Sequence, residues 1–300
     1  MHRGAIDVGS LPGGFDLQST VESGQSYLWW RADGRDYETH PYGGDAWYLT
    51  TTRAAGEPAV VRVRQQGDRL EWESTVDADP IIRDRLRLED DLPVIRAATA
   101  DDTLLEAAYD DYPGMRLVRD PPFGALVSFI CSAQMHVSRI HRMQQSLREA
   151  FGTPVTFDGD SYHAYPTPDQ LAAASESSLR SLNLGYRAPY VQRTAEMVAD
   201  GDDPAGAAEY PYEEAREHLT RFVGVGEKVA DCILLFSLGF LQAVPLDTWI
   251  RKTITQYYPH CDGDSYAETS RAIREQFGGD YAGYAQTYVF HHLRHREDGE

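Results

Sequence analysis

AREHLTRFVGVGEKVADCILLF, residues 215–236, decides how this 300-residue chain is read. Ala215, Leu219 and Phe222 recur at helical spacing and form the inner face of a helix that stops at Gly224. A second helix is predicted from about Glu227. Its Val229, Ala230, Ile233, Leu234, Leu235 and Phe236 leave almost no polar side, the pattern of a fully buried helix. Between the two, Gly224, Val225 and Gly226 permit a tight turn with backbone N–H groups facing outward at a helix N-terminus. There the helix dipole and unpaired donors favour a phosphate. A plain interhelical turn explains Gly-x-Gly alone better than a phosphate site does, so the surrounding residues have to decide.

Lys228, two residues past that turn, is one of only two lysines, the other being Lys252; the remaining 26 of 28 basic residues are arginine. Arginine binds phosphate better than lysine but cannot give up a proton and attack carbon. A chain that avoids lysine yet keeps one beside a glycine turn needs a primary amine there. Apolar neighbours and the positive end of the following helix both disfavour an ammonium. Nineteen positions on, Asp247 in AVPLDTWIRK (243–252) is predicted to be the N-cap of a helix through Tyr257. The chemistry is expected on that lysine–aspartate pair.

Upstream, residues 1 to about 98 are β-rich. YLWWRADGRDYETH (27–40), DAWYLTTTR (45–53), PAVVRVRQQ (58–66) and DRLEWEST (68–75) are aromatic and β-branched runs parted by DG, GG, GE and GD turns, which predicts an antiparallel sheet. DADPIIRDRLRLEDDLPVIRAA (77–98) reads as a mixed crossing segment. Helical periodicity follows: Leu126, Ile130, Ala133, Val137, Ile140, Leu147 and Phe151 make one buried stripe. Thr167-Pro168-Asp169-Gln170 has the capping-box form and starts a helix to about Leu182, and another runs from near Pro189 to Gly201.

Composition narrows the function. Three cysteines, Cys131, Cys232 and Cys261, cannot build a four-cysteine iron–sulfur or zinc site and suggest no disulfide framework. His291 and His292 are adjacent and His295 sits among charges near an end expected to fray, so no metal centre is expected. No apolar run is long enough to span a bilayer, and MHRGAIDVGSLPGG lacks a signal-peptide core, which predicts a cytoplasmic protein with no membrane partner. The net charge of −19 argues against nucleic acid when taken alone. Acidic excess with scarce lysine also fits a very salty cytoplasm, where the Debye length falls to roughly 3 Å at 1 M and repulsion from phosphate largely vanishes. A halophilic source is therefore expected.

GVGEKVADCILL followed by QAVPLD strongly resembles the 8-oxoguanine DNA glycosylases of the helix–hairpin–helix superfamily. The similarity continues in the same order: FDLQSTVESGQSYLWW (15–30) looks like their N-terminal strand motif, and residues 114–151 look like their first catalytic-domain helix. YHAYPTPDQL (162–171), LGYRAPYV (184–191) and YAGYAQTYVF (281–290) match as well. The resemblance implies an α+β fold, with a TATA-binding-protein-like antiparallel sheet domain over 1–98 and a helical region over 99–300. That region would hold a helical subdomain at about 120–210, the hairpin and catalytic helices at about 211–260, and C-terminal helices at 264–296 packing back.

The resemblance also assigns roles. Lys228 is implied as nucleophile at the sugar C1′ of a flipped nucleotide, and Asp247 as stabiliser of the oxocarbenium charge. The Gly24 carbonyl would accept from the N7–H that 8-oxoguanine has and guanine lacks. Phe290 and Cys232 would sandwich the base, while Gln286 and Pro245 line its Watson–Crick edge. Tyr186, Arg187 and Arg139 would wedge the duplex and contact the orphaned cytosine. Gly224, Val225 and Gly226 would bind phosphate, with a monovalent or divalent cation bridging hairpin carbonyls to DNA as an option; no cofactor is required. The partner is double-stranded DNA carrying an oxidised purine, met by a monomer.

The chain departs from that pattern at three places. Gln134 replaces an asparagine that pairs with the opposite cytosine, Trp249 replaces a phosphate-contacting histidine, and Val223 replaces the usual proline before the hairpin. Two other readings stay open: a monofunctional alkylpurine glycosylase, which needs the aspartate but no lysine, and a non-catalytic DNA-binding hairpin protein, which needs neither.

Overall fold

The computed structural model describes residues 1–37, 46–99 and 102–298, with only the backbone of 297 and 298. Five strands, β1 (His2–Asp7), β2 (Trp29–Arg31), β3 (Tyr48–Ala54), β4 (Glu57–Gln66) and β5 (Arg69–Ser74), form one antiparallel sheet in the order β1-β5-β4-β3-β2. Register pairs Val63 with Trp72 on one side and with Tyr48 on the other. Because side chains alternate across a strand, those residues share a face with Val61, Leu70 and Ile6. That face is covered by Leu17 and Val21 of helix α1 (Leu17–Glu22) and by Ile82 of α2 (Asp79–Arg85). On the opposite face Leu49 and Val60 meet Phe157. Phe157 belongs to a hairpin, β6 (Pro154–Phe157) and β7 (Asp160–His163), lying in the otherwise helical half.

Several local expectations need correction. β1 was not anticipated: HRGAID buries only Ile6 fully, so it shows no apolar alternation and is held by its ladder to β5. The 15–30 stretch is mostly not strand. Asp16 accepts from the Ser19 N–H at 2.7 Å and caps α1, and only Trp29–Arg31 pairs with β3. The end of the first aromatic run (38–40), the turn at 41–44 and the first residue of the second run (45) lie outside the described residues. The 77–98 segment forms two helices, α2 and α3 (Leu92–Ala98).

α4 (Thr103–Asp111) precedes the helical core. The single stripe expected from Leu126 to Phe151 is two helices, α5 (Pro122–Cys131) and α6 (Val137–Phe151), parted by a turn in which Gln134 takes φ +55°. A long helix capped at Thr167 is likewise two short ones, α7 (Pro168–Ala172) with the full capping box and α8 (Glu176–Leu179) capped by Ser175. Then come α9 (Ala188–Ala199), α10 (Tyr212–Thr220), α11 (Glu227–Ile233), α12 (Thr248–Tyr257), α13 (Tyr266–Gln276) and α14 (Ala282–Asp298). α14 packs on α4, with His291 and His292 buried, His295 exposed and His292 Nδ1 2.7 Å from the Asp111 carboxylate.

Buried polar contacts fasten the sheet to the helices. Asp120, ahead of α5, accepts from Arg85 at 2.9 Å and from the Ser26 hydroxyl at 2.6 Å. Arg116 is fully buried and donates to the carbonyls of Pro12, Gly14, Arg87, Leu88 and Asp90. Residues 23–27, which follow α1, are thereby held against the helical core. Among the described residues no helix is long and apolar enough to cross a membrane.

Candidate active site

Gly226 is the N-cap of α11 with extended backbone (φ −96°, ψ 178°), so Lys228 is the second residue of that helix. Gly224 sits at φ +85°, and a Cβ there would lie 2.9 Å from Tyr190 Cβ. Only glycine fits so close to α9, and this contact fixes the approach of the hairpin to it. The Thr194 hydroxyl completes the junction by donating to the Val223 carbonyl at 2.8 Å. The Phe222 and Gly226 carbonyls accept from Val225 and Ala230 N–H groups. Val225 is buried, while Gly224 and Gly226 are exposed.

Lys228 and Cys232, one turn apart on this helix, and Phe236 in the π-helical turn that continues it (Leu234–Leu238) line a cleft. Asp247 enters it from the N-terminus of α12, where its Oδ1 accepts from the Ile250 N–H at 2.8 Å. Pro245 precedes it, and Gln286 and Phe290, one turn apart on α14, supply another wall. Gly24 closes the cleft from the sheet side. Its segment is held by Gln25, whose amide donates to the Thr20 and Arg116 carbonyls and accepts from the Val118 N–H, each within 2.9 Å. Gly24 has φ +91°, and a Cβ would stand 3.0 Å from Arg294 Nη1 and 3.3 Å from Phe290 Cε1. The space among these side chains is about 440 Å³ when the open mouth of the cleft is counted. Thus Lys228, Asp247, Gly24, Cys232, Pro245, Gln286 and Phe290, drawn from four distant stretches of chain, share one cavity.

Electrostatics suit these groups to different tasks. Burial pushes the Asp247 carboxyl upward, opposed first by the Lys228 ammonium and then by the Ile250 and Trp249 backbone N–H groups. Lys228 Nζ donates to Ser132 Oγ at 3.2 Å and lies 6.0 Å from the Phe129 ring centre. Burial drives the Cys232 thiol up to about 12, so it stays protonated and serves as a wall. Gln286 is 5% exposed, and its Oε1 has no partner among the described residues, which leaves a buried acceptor for a ligand N–H.

The remaining sequence-predicted residues lie outside this cleft. Gln134 is exposed in the α5–α6 turn and Arg139 is exposed in the first turn of α6. Tyr186 is 51% exposed and stacks under the Arg187 guanidinium at 4.3 Å. Arg187 is buried, and its Nη2 donates to the Ala133 carbonyl. That bond joins the 185–187 turn to the turn carrying Gln134.

Sequence reasoning missed Tyr27, Phe129 and Phe236, which line the cavity; Tyr27 meets Phe129 edge-on at 6.0 Å and Phe236 stacks on it at 5.7 Å. It also missed Ser132, the partner of the lysine. Trp249, noted only as a departure, stands edge-on to Phe290 at 6.5 Å. Among the described residues no group of His, Cys, Asp or Glu could hold a metal ion.

A "Probable N-glycosylase/DNA lyase" of Methanothermobacter thermautotrophicus is 31% identical over 304 residues, covering 94% of each chain. The solved structure of MBOgg1 in complex with a low-affinity DNA ligand matches with a TM-score of 0.82 at 29% identity over 100% of both chains. The Clostridium acetobutylicum 8-oxoguanine glycosylase/lyase, in complex with double-stranded DNA containing cytosine opposite 8-oxoguanine, matches with 0.80 at 28% identity over 94% of this chain and 93% of that one. Residues 127–278, which run from α5 through the hairpin, Lys228 and Asp247 to the end of α13, match a family model. The chain therefore belongs to the HhH-GPD superfamily of base excision DNA repair proteins.

Proposed function

We propose that this chain is a bifunctional DNA glycosylase and abasic-site lyase that removes 8-oxoguanine from duplex DNA. The observation that carries the reading is the convergence of an amine, a half-buried carboxylate and a slot walled by Phe290 and Cys232 in one cleft. The target nucleotide leaves the stack and enters between Phe290 and Cys232, at an unstacking cost of a few kcal/mol. Gly24 accepts from the N7–H of the oxidised base. One such bond, with the penalty for an unpaired acceptor when guanine enters, is worth about 1–3 kcal/mol. Gln286 meets the Watson–Crick edge with its unsatisfied amide oxygen, and Pro245 closes that side.

Chemistry follows from the pair. Once deprotonated, the Lys228 amine gives its lone pair to C1′, while the glycosidic bond breaks and leaves its electrons on the base, which takes up a proton that the attacking nitrogen sheds. Asp247 faces the positive charge that builds on the sugar and stabilises it electrostatically. The sugar ring opens, and a Schiff base links the enzyme to DNA. Abstraction of a C2′ proton then expels the 3′ phosphate and nicks the strand.

The exposed Gly224 and Gly226 offer backbone donors to the phosphate beside the lesion, whereas the buried Val225 N–H is already bonded to the Phe222 carbonyl and only shapes the turn; a cation bridging hairpin carbonyls to the DNA fits the same surface. Tyr186 with Arg187 wedges the gap, and Gln134 with Arg139 meets the orphaned base. The chain acts as a monomer, in a cytoplasm whose high salt accounts for the charge of −19. The test is excision from a duplex panel. Release of 8-oxoguanine followed by strand cleavage is expected, whereas release of alkylated purines alone, with no nicking, would overturn the proposal.

A further inference from the structure

Asp231 lies three residues past Lys228 on α11, is fully buried, and takes no part in the cleft. Its Oδ1 accepts from the Tyr212 hydroxyl of α10 at 2.8 Å, and its Oδ2 from the Tyr266 hydroxyl of α13 at 2.7 Å. Arg216 Nη1 of α10 stands 3.7 Å from Oδ2. The Tyr266 oxygen is not finished at that point: it accepts from the Leu246 backbone N–H at 3.2 Å. Leu246 immediately precedes Asp247. A continuous chain, Leu246 N–H to Tyr266 O–H to the Asp231 carboxylate, therefore joins the helix that carries the amine to the turn that carries the acid.

Packing alone does not require this arrangement. A buried carboxylate is costly to desolvate, and apolar residues of similar volume often replace such groups without loss of stability. A hydrogen-bonded chain does something that apolar contact does not. Each bond polarises the next and is directional, so it fixes a backbone in register. The carboxylate makes the Tyr266 oxygen a better acceptor for Leu246. Misplacement of a reacting group by about 1 Å costs on the order of a hundredfold in rate.

We propose that Asp231 and Tyr266 are positioning residues, which hold Asp247 in register with Lys228 by anchoring the backbone one residue before it. This inference rests on the function proposed above. Tyr212 is the internal comparison: it bonds the same carboxylate, and among the described residues its hydroxyl makes no hydrogen bond to the turn before Asp247.

The experiment uses the full chain and compares Tyr266→Phe, Asp231→Asn and Tyr212→Phe with wild type. It reads single-turnover release of 8-oxoguanine, affinity for duplex holding a stable abasic analogue, and melting temperature. Tyr266→Phe is expected to slow base release on the order of tenfold, with abasic-duplex affinity unchanged. Asp231→Asn should slow it as well. The double variant should be no slower than the slower single, because the two act in one chain. Tyr212→Phe should lose similar stability while keeping its rate. Equal rates for Tyr266→Phe and Tyr212→Phe at temperatures where both are folded would overturn the inference. Should Tyr266→Phe fail to fold, Asp231→Asn with a wild-type rate would do the same. A wild-type chain that releases no 8-oxoguanine would instead bring down the proposed function, and this inference with it.

Discussion

Asp247→Asn separates the two tasks assigned to one side chain. As N-cap of α12 the group must accept from the Ile250 N–H, now at 2.8 Å. Asparagine caps about as well as aspartate, whereas alanine there costs about 0.5–2 kcal/mol. Burial raises the Asp247 carboxyl above its ordinary range, so the fold holds that proton more tightly than the unfolded chain and the charged form is a burden on stability. Asparagine removes that burden, and the melting temperature should stay level or rise slightly. Catalysis should move the other way. A carboxylate about 4 Å from a unit positive charge is worth about 4 kcal/mol at an effective dielectric of 20. Loss of one preorganised electrostatic group in an enclosed site costs about 3–4 kcal/mol, or roughly a hundred- to a thousandfold in rate. The assay is single-turnover release of 8-oxoguanine from duplex, paired with thermal unfolding and DNA affinity. Retained folding and binding with a rate lowered in that range is the expected result. A rate within about threefold of wild type, a barrier change under 1 kcal/mol, would refute the electrostatic role.

Gln134→Asn should sharpen the preference for cytosine opposite the lesion, read as excision rates against the four opposing bases; equal rates before and after would remove Gln134 from that contact. Gly24→Ala forces a side chain into φ +91° and against Phe290 and Arg294, at about 1–2 kcal/mol of backbone strain. It should lower both stability and 8-oxoguanine excision, and a wild-type rate would mean that the Gly24 segment does not shape the slot. The stability gap between wild type and Asp231→Asn should depend on pH. The Asp231 carboxyl is pushed by burial from 3.8 to about 6, so the folded state binds the extra proton and the charged form loses stability as pH rises through that window. About two pH units correspond to about 3 kcal/mol. The advantage of wild type over the asparagine variant should therefore shrink by about that amount between pH 4 and pH 7, as measured by denaturant unfolding. A gap that is flat or widens would show that Asp231 carries no raised proton affinity.

Local rules captured the parts of this protein that depend on neighbours in sequence. The glycine hairpin, the Asp247 cap, the capping box at Thr167 and the strands at 48–74 each follow from spacing and turn chemistry, and each is where it was expected. Failures came where a tertiary partner decides. β1 is held by β5 rather than by its own pattern. The apolar stripe through Ala133 gave no hint of the break, because residues on either side of a turn can keep helical spacing while Gln134 turns left-handed between them. At the site, the scarcity of lysine and the predicted cap at Asp247 pointed to the pair, and the resemblance supplied their roles and the slot. Tyr27 and Phe129 were invisible because they come from segments about a hundred residues apart and look like ordinary core. The Asp231 chain was hidden for the same reason, since its tyrosines lie 19 and 35 residues away.

The central claim is that one amine becomes covalently bound to DNA. Borohydride added during reaction with an 8-oxoguanine duplex, followed by peptide mapping, tests it directly. A trapped adduct on Lys228 that disappears in Lys228→Gln is the expected result. An adduct on Lys252 or the N-terminus, or none while the base is released, would contradict it.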